Sequence, residues 1–134
     1  MFFNRQPKES PDELANRLQR EGKITDLERE LQRYSIYNLS HKDKESYFHL
    51  WGITAFQRQD RAEAFRRFKE GLEVCPDSQN LLFSLGQEYE HRREIDKMFD
   101  CFDRVRFPRL LQHLCWQRRA LHIYGIDQIR EPDT

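Results

Sequence analysis

Neither sign of charge predominates in this sequence: 23 Lys and Arg face 23 Asp and Glu over 134 residues. With no net positive charge to neutralise phosphates, a dedicated nucleic-acid binder is not expected. The balance is local too. Residues 1–40 and residues 41–78 each hold seven basic and seven acidic side chains. Long-range steering of a charged ligand is therefore not the expected device. Long apolar runs are also missing. The first ten residues contain one aromatic pair, Phe2 and Phe3, where a secretory signal needs about seven or more apolar residues after a basic start. No stretch approaches the roughly eighteen apolar residues that cross a bilayer. The three cysteines, Cys75, Cys101 and Cys115, are odd in number and widely spaced. A secreted chain of this size would carry an even framework, so buried free thiols in a reducing cytoplasm are expected. No Gly-rich phosphate loop, Ser–His–Asp spacing or cofactor fingerprint occurs, and neither catalysis nor a cofactor is expected.

What the chain does have is apolar side chains at 37%, ten of them Phe, enough for a packed core. It also has self-similarity. Shifted by 34 residues, Phe48 falls on Leu82, Trp51 on Leu85, Gly52 on Gly86, Phe65 on Phe99 and Phe68 on Phe102. Local signals split each unit into two helices. Phe48, Trp51, Ile53, Ala55 and Phe56 form a helical stripe over Glu45–Gln57, and Arg58-Gln59-Asp60 ends it. Ala64, Phe65, Phe68, Leu72 and Cys75 mark a second helix over Arg61–Val74, stopped by Cys75-Pro76-Asp77-Ser78. The next unit repeats the plan over Asn80–His91 and Ile95–Arg106.

A degenerate copy precedes these two. Ser10-Pro11-Asp12-Glu13 and Thr25-Asp26-Leu27-Glu28 each read as a capping box, with a turn at Glu21-Gly22-Lys23 between them. Its shift is 37 residues, with Leu27 under Ala64 and Leu31 under Phe68, which places a three-residue insertion near Ser40-His41-Lys42. A last apolar helix over 109–126 is expected to cover the open end, for seven helices in all.

The pattern Phe48, Trp51-Gly52, Ala55, Ala64, Phe68, Gly71, Pro76, followed by Leu82, Leu85-Gly86, Tyr89, Met98, Phe102, resembles the tetratricopeptide repeat, a helix–turn–helix unit of about 34 residues. Met98 replaces the family's small residue, and Pro108 arrives two positions early. The resemblance implies one all-α domain over 1–134, a right-handed α-α superhelix of about three repeats (8–41, 45–78 and 79–112) plus the capping helix. It implies a non-catalytic protein–protein interaction module, an adaptor or assembly factor, whose first helices line a groove for a partner's peptide or helix. By helical position the groove would present Ser46, His49, Ile53, Phe56 and Gln57, then Asn80, Phe83, Ser84, Gln87, Glu90 and His91, with Asp12, Asn16 and Gln19 from the first copy. Whether Phe56 and Phe83 belong to groove or core stays open. Chaperone-binding members of the family grip a terminal carboxylate with Lys, Asn and Arg, but His49, Ile53 and Ser84 stand at matching places, so that clamp is not expected.

Other readings are a small secretion chaperone that holds an aggregation-prone helix, a homodimer covered through Phe2, Phe3 and the last helix, and an accessory domain for a partner enzyme. His113 and Cys115, two apart on a helix, point to opposite sides, and His41 with His49 lacks a third ligand, so no metal is expected. Cys101, beside Phe102, reads as a core filler. The pairs Arg66-Arg67, Arg92-Arg93 and Arg118-Arg119 suggest a basic ridge at first. Glu63 and Glu70 neutralise the first pair, a helix C-terminus accounts for the second, and the chain's many carboxylates are expected at solvated positions.

Overall fold

A computed structural model describes residues 7–106 together with Cys115, Gln117 and Leu121. Among these residues the secondary structure is all helical. The elements are α1 (Pro11–Arg20), α2 (Leu27–Leu31), α3 (His41–Gln57), α4 (Arg61–Val74), α5 (Gln79–His91) and α6 (Ile95–Asp103), with one-turn 3-10 segments at Ile24–Asp26 and Ile36–Asn38. None of the described helices is long and apolar enough to cross a membrane. Cys115, Gln117 and Leu121 are helical. The rest of the expected capping helix, His113, Phe2 and Phe3 lie outside the described residues.

The chain divides into two compact units, Met1–Pro76 and Asp77–Thr134. In the first unit, Ser10 caps α1 reciprocally: its Oγ accepts from the Glu13 N–H at 3.1 Å, and Glu13 Oε1 accepts from the Ser10 N–H at 3.1 Å. Pro11 at the first helical position needs no donor, so the start is preorganised. Leu14 and Leu18 of α1, Leu27 and Leu31 of α2, Tyr47, Phe48 and Ala55 of α3, and Ala64 and Phe68 of α4 make the core. α1 and α2 pack on α3, which pairs with α4. The second unit pairs α5 with α6 around Leu81, Leu82, Leu85, Met98, Cys101 and Phe102.

The two hairpins, α3–α4 and α5–α6, share their closest approach. A Cβ on Gly52 would lie 2.2 Å from Phe68 Cε1, and one on Gly86 would lie 2.1 Å from Phe102 Cε1. Each glycine is therefore the space its ring occupies, and any side chain there would force the ring or the second helix to shift. The turns match as well. Asp60 N–H reaches back to the Ala55 carbonyl at 3.0 Å, and Glu94 N–H to the Tyr89 carbonyl at 2.9 Å. Lys23 N–H does the same to Leu18 at 2.8 Å after α1. All three are Schellman closures, which require a left-handed residue just past the helix. Gly22 supplies it at φ 71°, Gln59 at 66° and Arg93 at 63°.

Several boundaries differ from the sequence expectation. The second capping box does not form. Ile24–Asp26 is a 3-10 turn, Asp26 makes no side-chain cap, and α2 has only five residues. The chain leaves the helix so that Tyr34 can be buried, its hydroxyl donating to the Glu9 carbonyl at 2.8 Å and its ring 6.5 Å from that of Tyr47. α3 begins at His41 rather than Glu45, because the Ser40 Oγ accepts from the Asp43 N–H at 3.2 Å. α3 is therefore four residues longer at its start than α5, whose first residue Gln79 corresponds to Glu45, so the extra residues near Ser40-His41-Lys42 form the first turn of α3. α6 ends at Asp103, short of Arg106, whose N–H donates instead to Gln79 Oε1.

Candidate functional site

On α3, Ser46, His49, Ile53 and Phe56 follow helical spacing along one face. Ser46 is half-buried, and its Oγ donates to Asp12 Oδ2 at 2.9 Å, joining α3 to α1. His49 is half-buried, its ring 6.2 Å from that of Phe68. Burial pushes its pKa below the ordinary value, while Glu45 and Asp12 oppose the shift. Ile53 is half-buried and Gln57 exposed. Phe56 keeps 43% of its surface open, and the Arg61 guanidinium lies 4.9 Å from its ring centre. A cation over an aromatic face covers apolar area while keeping its own solvent.

On α5, Asn80, Gln87 and His91 are exposed, and Ser84 and Glu90 are half-buried. Phe83 is half-buried, with its ring 5.9 Å from Phe102. The two phenylalanines therefore differ: Phe56 is a surface residue, and Phe83 rests on the ring of the second helix. On α1, Asp12, Asn16 and Gln19 are exposed. Among the described residues, no group of three or more His, Cys, Asp or Glu is disposed to hold a metal ion.

The residue that sequence reasoning missed is Arg67. Its near neighbours Glu63 and Glu70 suggest a solvated face, yet Arg67 is only 5% exposed. Its Nε donates to Glu63 Oε2 at 2.8 Å, and its Nη1 donates to Glu28 Oε2 at 2.5 Å and to the Trp51 carbonyl at 2.8 Å. The guanidinium lies 3.6 Å from the centre of the Trp51 ring. One cation thereby joins α2, α3 and α4. A signal existed: Arg67 stands three residues after Ala64 and four before Gly71, inside the buried stripe of α4.

The partners respond to this charge. Burial alone would raise the pKa of Glu28, but hydrogen bonds from Arg67 and Arg58 hold it below the ordinary carboxylate range. Arg66 and then Arg67 draw Glu63 down to about 2. Not every carboxylate is solvated as expected, since Glu88 of α5 is 3% exposed. Cys75, Cys101 and Cys115 are free and buried. Burial pushes the Cys101 thiol up to about 11 and the Cys115 thiol up to about 12, which keeps both protonated and unreactive at neutral pH.

Comparison with protein-family models, with curated proteins and with solved structures gave no match to this chain.

Proposed function

We propose that this chain is a non-catalytic protein–protein interaction module, an adaptor or assembly factor of the tetratricopeptide kind acting in the cytoplasm. In this reading the first helix of each repeat lines a concave groove that takes a peptide or helix of a partner. The right-handed stacking of three such hairpins is part of this proposal. The observation that carries it is Phe56, a large aromatic left 43% exposed at the end of α3 with Gln57 exposed beside it. A rigid aromatic set among amides and imidazoles suits an anchor for an amphipathic or extended segment. His49 and Ile53 extend that face along α3, and Asn80, Gln87 and His91 offer polar contacts on α5.

Affinity capture from native lysate, with wild type and Phe56→Ala side by side, tests the reading. One protein enriched by the wild type and lost with a variant of unchanged helicity is the expected result. Equal capture by both would overturn the assignment of Phe56. Capture of the chain alone, with a multimer mass in light scattering, would replace the adaptor by a self-assembling scaffold.

A further inference from the structure

His49 and Phe83 hold the same place in the two hairpins. They stand 34 residues apart, each on the first helix and each three residues before the glycine that admits the facing ring. The ring geometry agrees: His49 meets Phe68 at 6.2 Å and 35°, and Phe83 meets Phe102 at 5.9 Å and 32°. A phenyl ring has one charge state. An imidazole has two, exchanging near pH 6.5 or so when unperturbed.

We infer that His49 makes the α3–α4 hairpin acid-labile, so that mild acidification loosens this hairpin while α5–α6 holds. The physical reason is what surrounds the ring. From α4 comes the apolar Phe68, wedged against Gly52 with no room to retreat on that side. From α1 comes Asp12, already engaged by the Ser46 hydroxyl at 2.9 Å, and from α3 itself comes Glu45, one turn back. Both carboxylates favour an imidazolium, but burial outweighs them and folding favours the neutral ring.

The direction follows from linkage. A folded-state pKa below the unfolded one means that the unfolded chain takes up the proton first. The contribution of His49 is therefore complete above the ordinary histidine range and is lost as pH falls through it. One proton changes the opening equilibrium by at most about tenfold per pH unit. The inference stands whether or not α3 receives a partner.

Hydrogen exchange of the full chain, followed in peptides from α4 and α6, tests it. Rates at about pH 7.5 and about pH 5.5, corrected for intrinsic chemistry, bracket the titration. Protection in α4 is expected to fall several-fold on acidification while that in α6 is unchanged. His49→Phe should remove the difference and His41→Gln, at the exposed start of α3, should retain it. Should His49→Phe fail to fold, His49→Gln, neutral at both pH values, must remove the pH dependence whatever its basal stability. Equal loss in α4 and α6, or pH dependence that survives in either His49 variant, would overturn the inference.

Discussion

Arg67 and Cys101 stand at corresponding places on the second helices of the two hairpins, 34 residues apart. Both are almost sealed from water, at 5% and 4% exposure. Cys101 solves its position by being small and neutral. Arg67 fills the same position with a charge, which must then be satisfied by Glu28, Glu63 and the Trp51 carbonyl. Two hairpins with the same backbone turns and the same glycine–phenylalanine contact thus close by different chemistry. Besides placing Leu27 and Leu31 in the core, α2 of unit 1 supplies Glu28, one of the two carboxylates that Arg67 needs. A buried charge sets requirements on distant parts of the chain, and a thiol sets almost none.

The shared part of the comparison is the easiest to break. Gly52→Ala and Gly86→Ala should each cost about 3 kcal/mol in urea denaturation, since a methyl at either site falls inside the facing ring. Equal losses would establish the two contacts as equivalent. A loss at only one would show that one hairpin can open to admit the methyl.

Arg67→Met sharpens the part that differs. It removes the cation and leaves Glu28 and Glu63 facing an apolar side chain, though Glu28 keeps Arg58 at 3.2 Å and Glu63 keeps Arg66 at 2.7 Å. Both carboxylates retain some contact with water, at 26% and 24% side-chain exposure. The expected cost is accordingly about 2 kcal/mol, below the usual range for a fully buried pair. Cys101→Ala should cost about 1 kcal/mol or less, as the loss of a small neutral filler. A larger loss at Cys101 than at Arg67, read from the same denaturation curves, would reverse the account.

The smallest contrast lies at the helix starts. Asp60 caps α4 by accepting from the Glu63 N–H at 3.1 Å, whereas Glu94, its counterpart, makes no side-chain cap to α6. Asp60→Ala should cost about 1 kcal/mol. Glu94→Ala, losing an exposed pair with Lys97 at 3.1 Å, should cost less than about 0.5 kcal/mol. Thermal melts of the two variants separate these outcomes.

Much of this plan can be read from residue types. Rare glycines at Gly52 and Gly86, with phenylalanines sixteen residues later at Phe68 and Phe102, mark where two helices touch. The span of α4 follows from its apolar spacing and the Cys75-Pro76 stop. What escaped reading depends on partners distant in sequence. Arg67 looks solvated until Glu28, 39 residues away, is seen to meet it. α2 looks like a full helix until Tyr34 finds the Glu9 carbonyl, 25 residues back. Gln59 and Arg93 carry no sign of a left-handed backbone, because the hydrogen bonds of the turn impose it on residues that do not prefer it. Of the candidate face, helical spacing alone puts Ser46, His49, Ile53 and Phe56 on one side of α3. It could not tell Phe56 from Phe83, since the difference lies in the facing chain: Phe102 lies beside Phe83, while Arg61 covers Phe56.

The contact between Gly52 and Phe68 has a consequence for how such a chain can change over generations. Enlarging Gly52 first costs about 3 kcal/mol, because the facing ring lies 2.2 Å from where the methyl would stand. Shrinking Phe68 first leaves a cavity, a loss of roughly 3 kcal/mol if truncated to alanine and less for leucine, and makes room for the second step. The two positions are therefore epistatic, with Phe68→Leu before Gly52→Ala the less costly order of substitution. The turn residues Gln59 and Arg93 are free of that constraint: glycine at either would relieve the left-handed strain in a single step. Drift should therefore move quickly through the turns and hardly at all through the glycine–ring pairs.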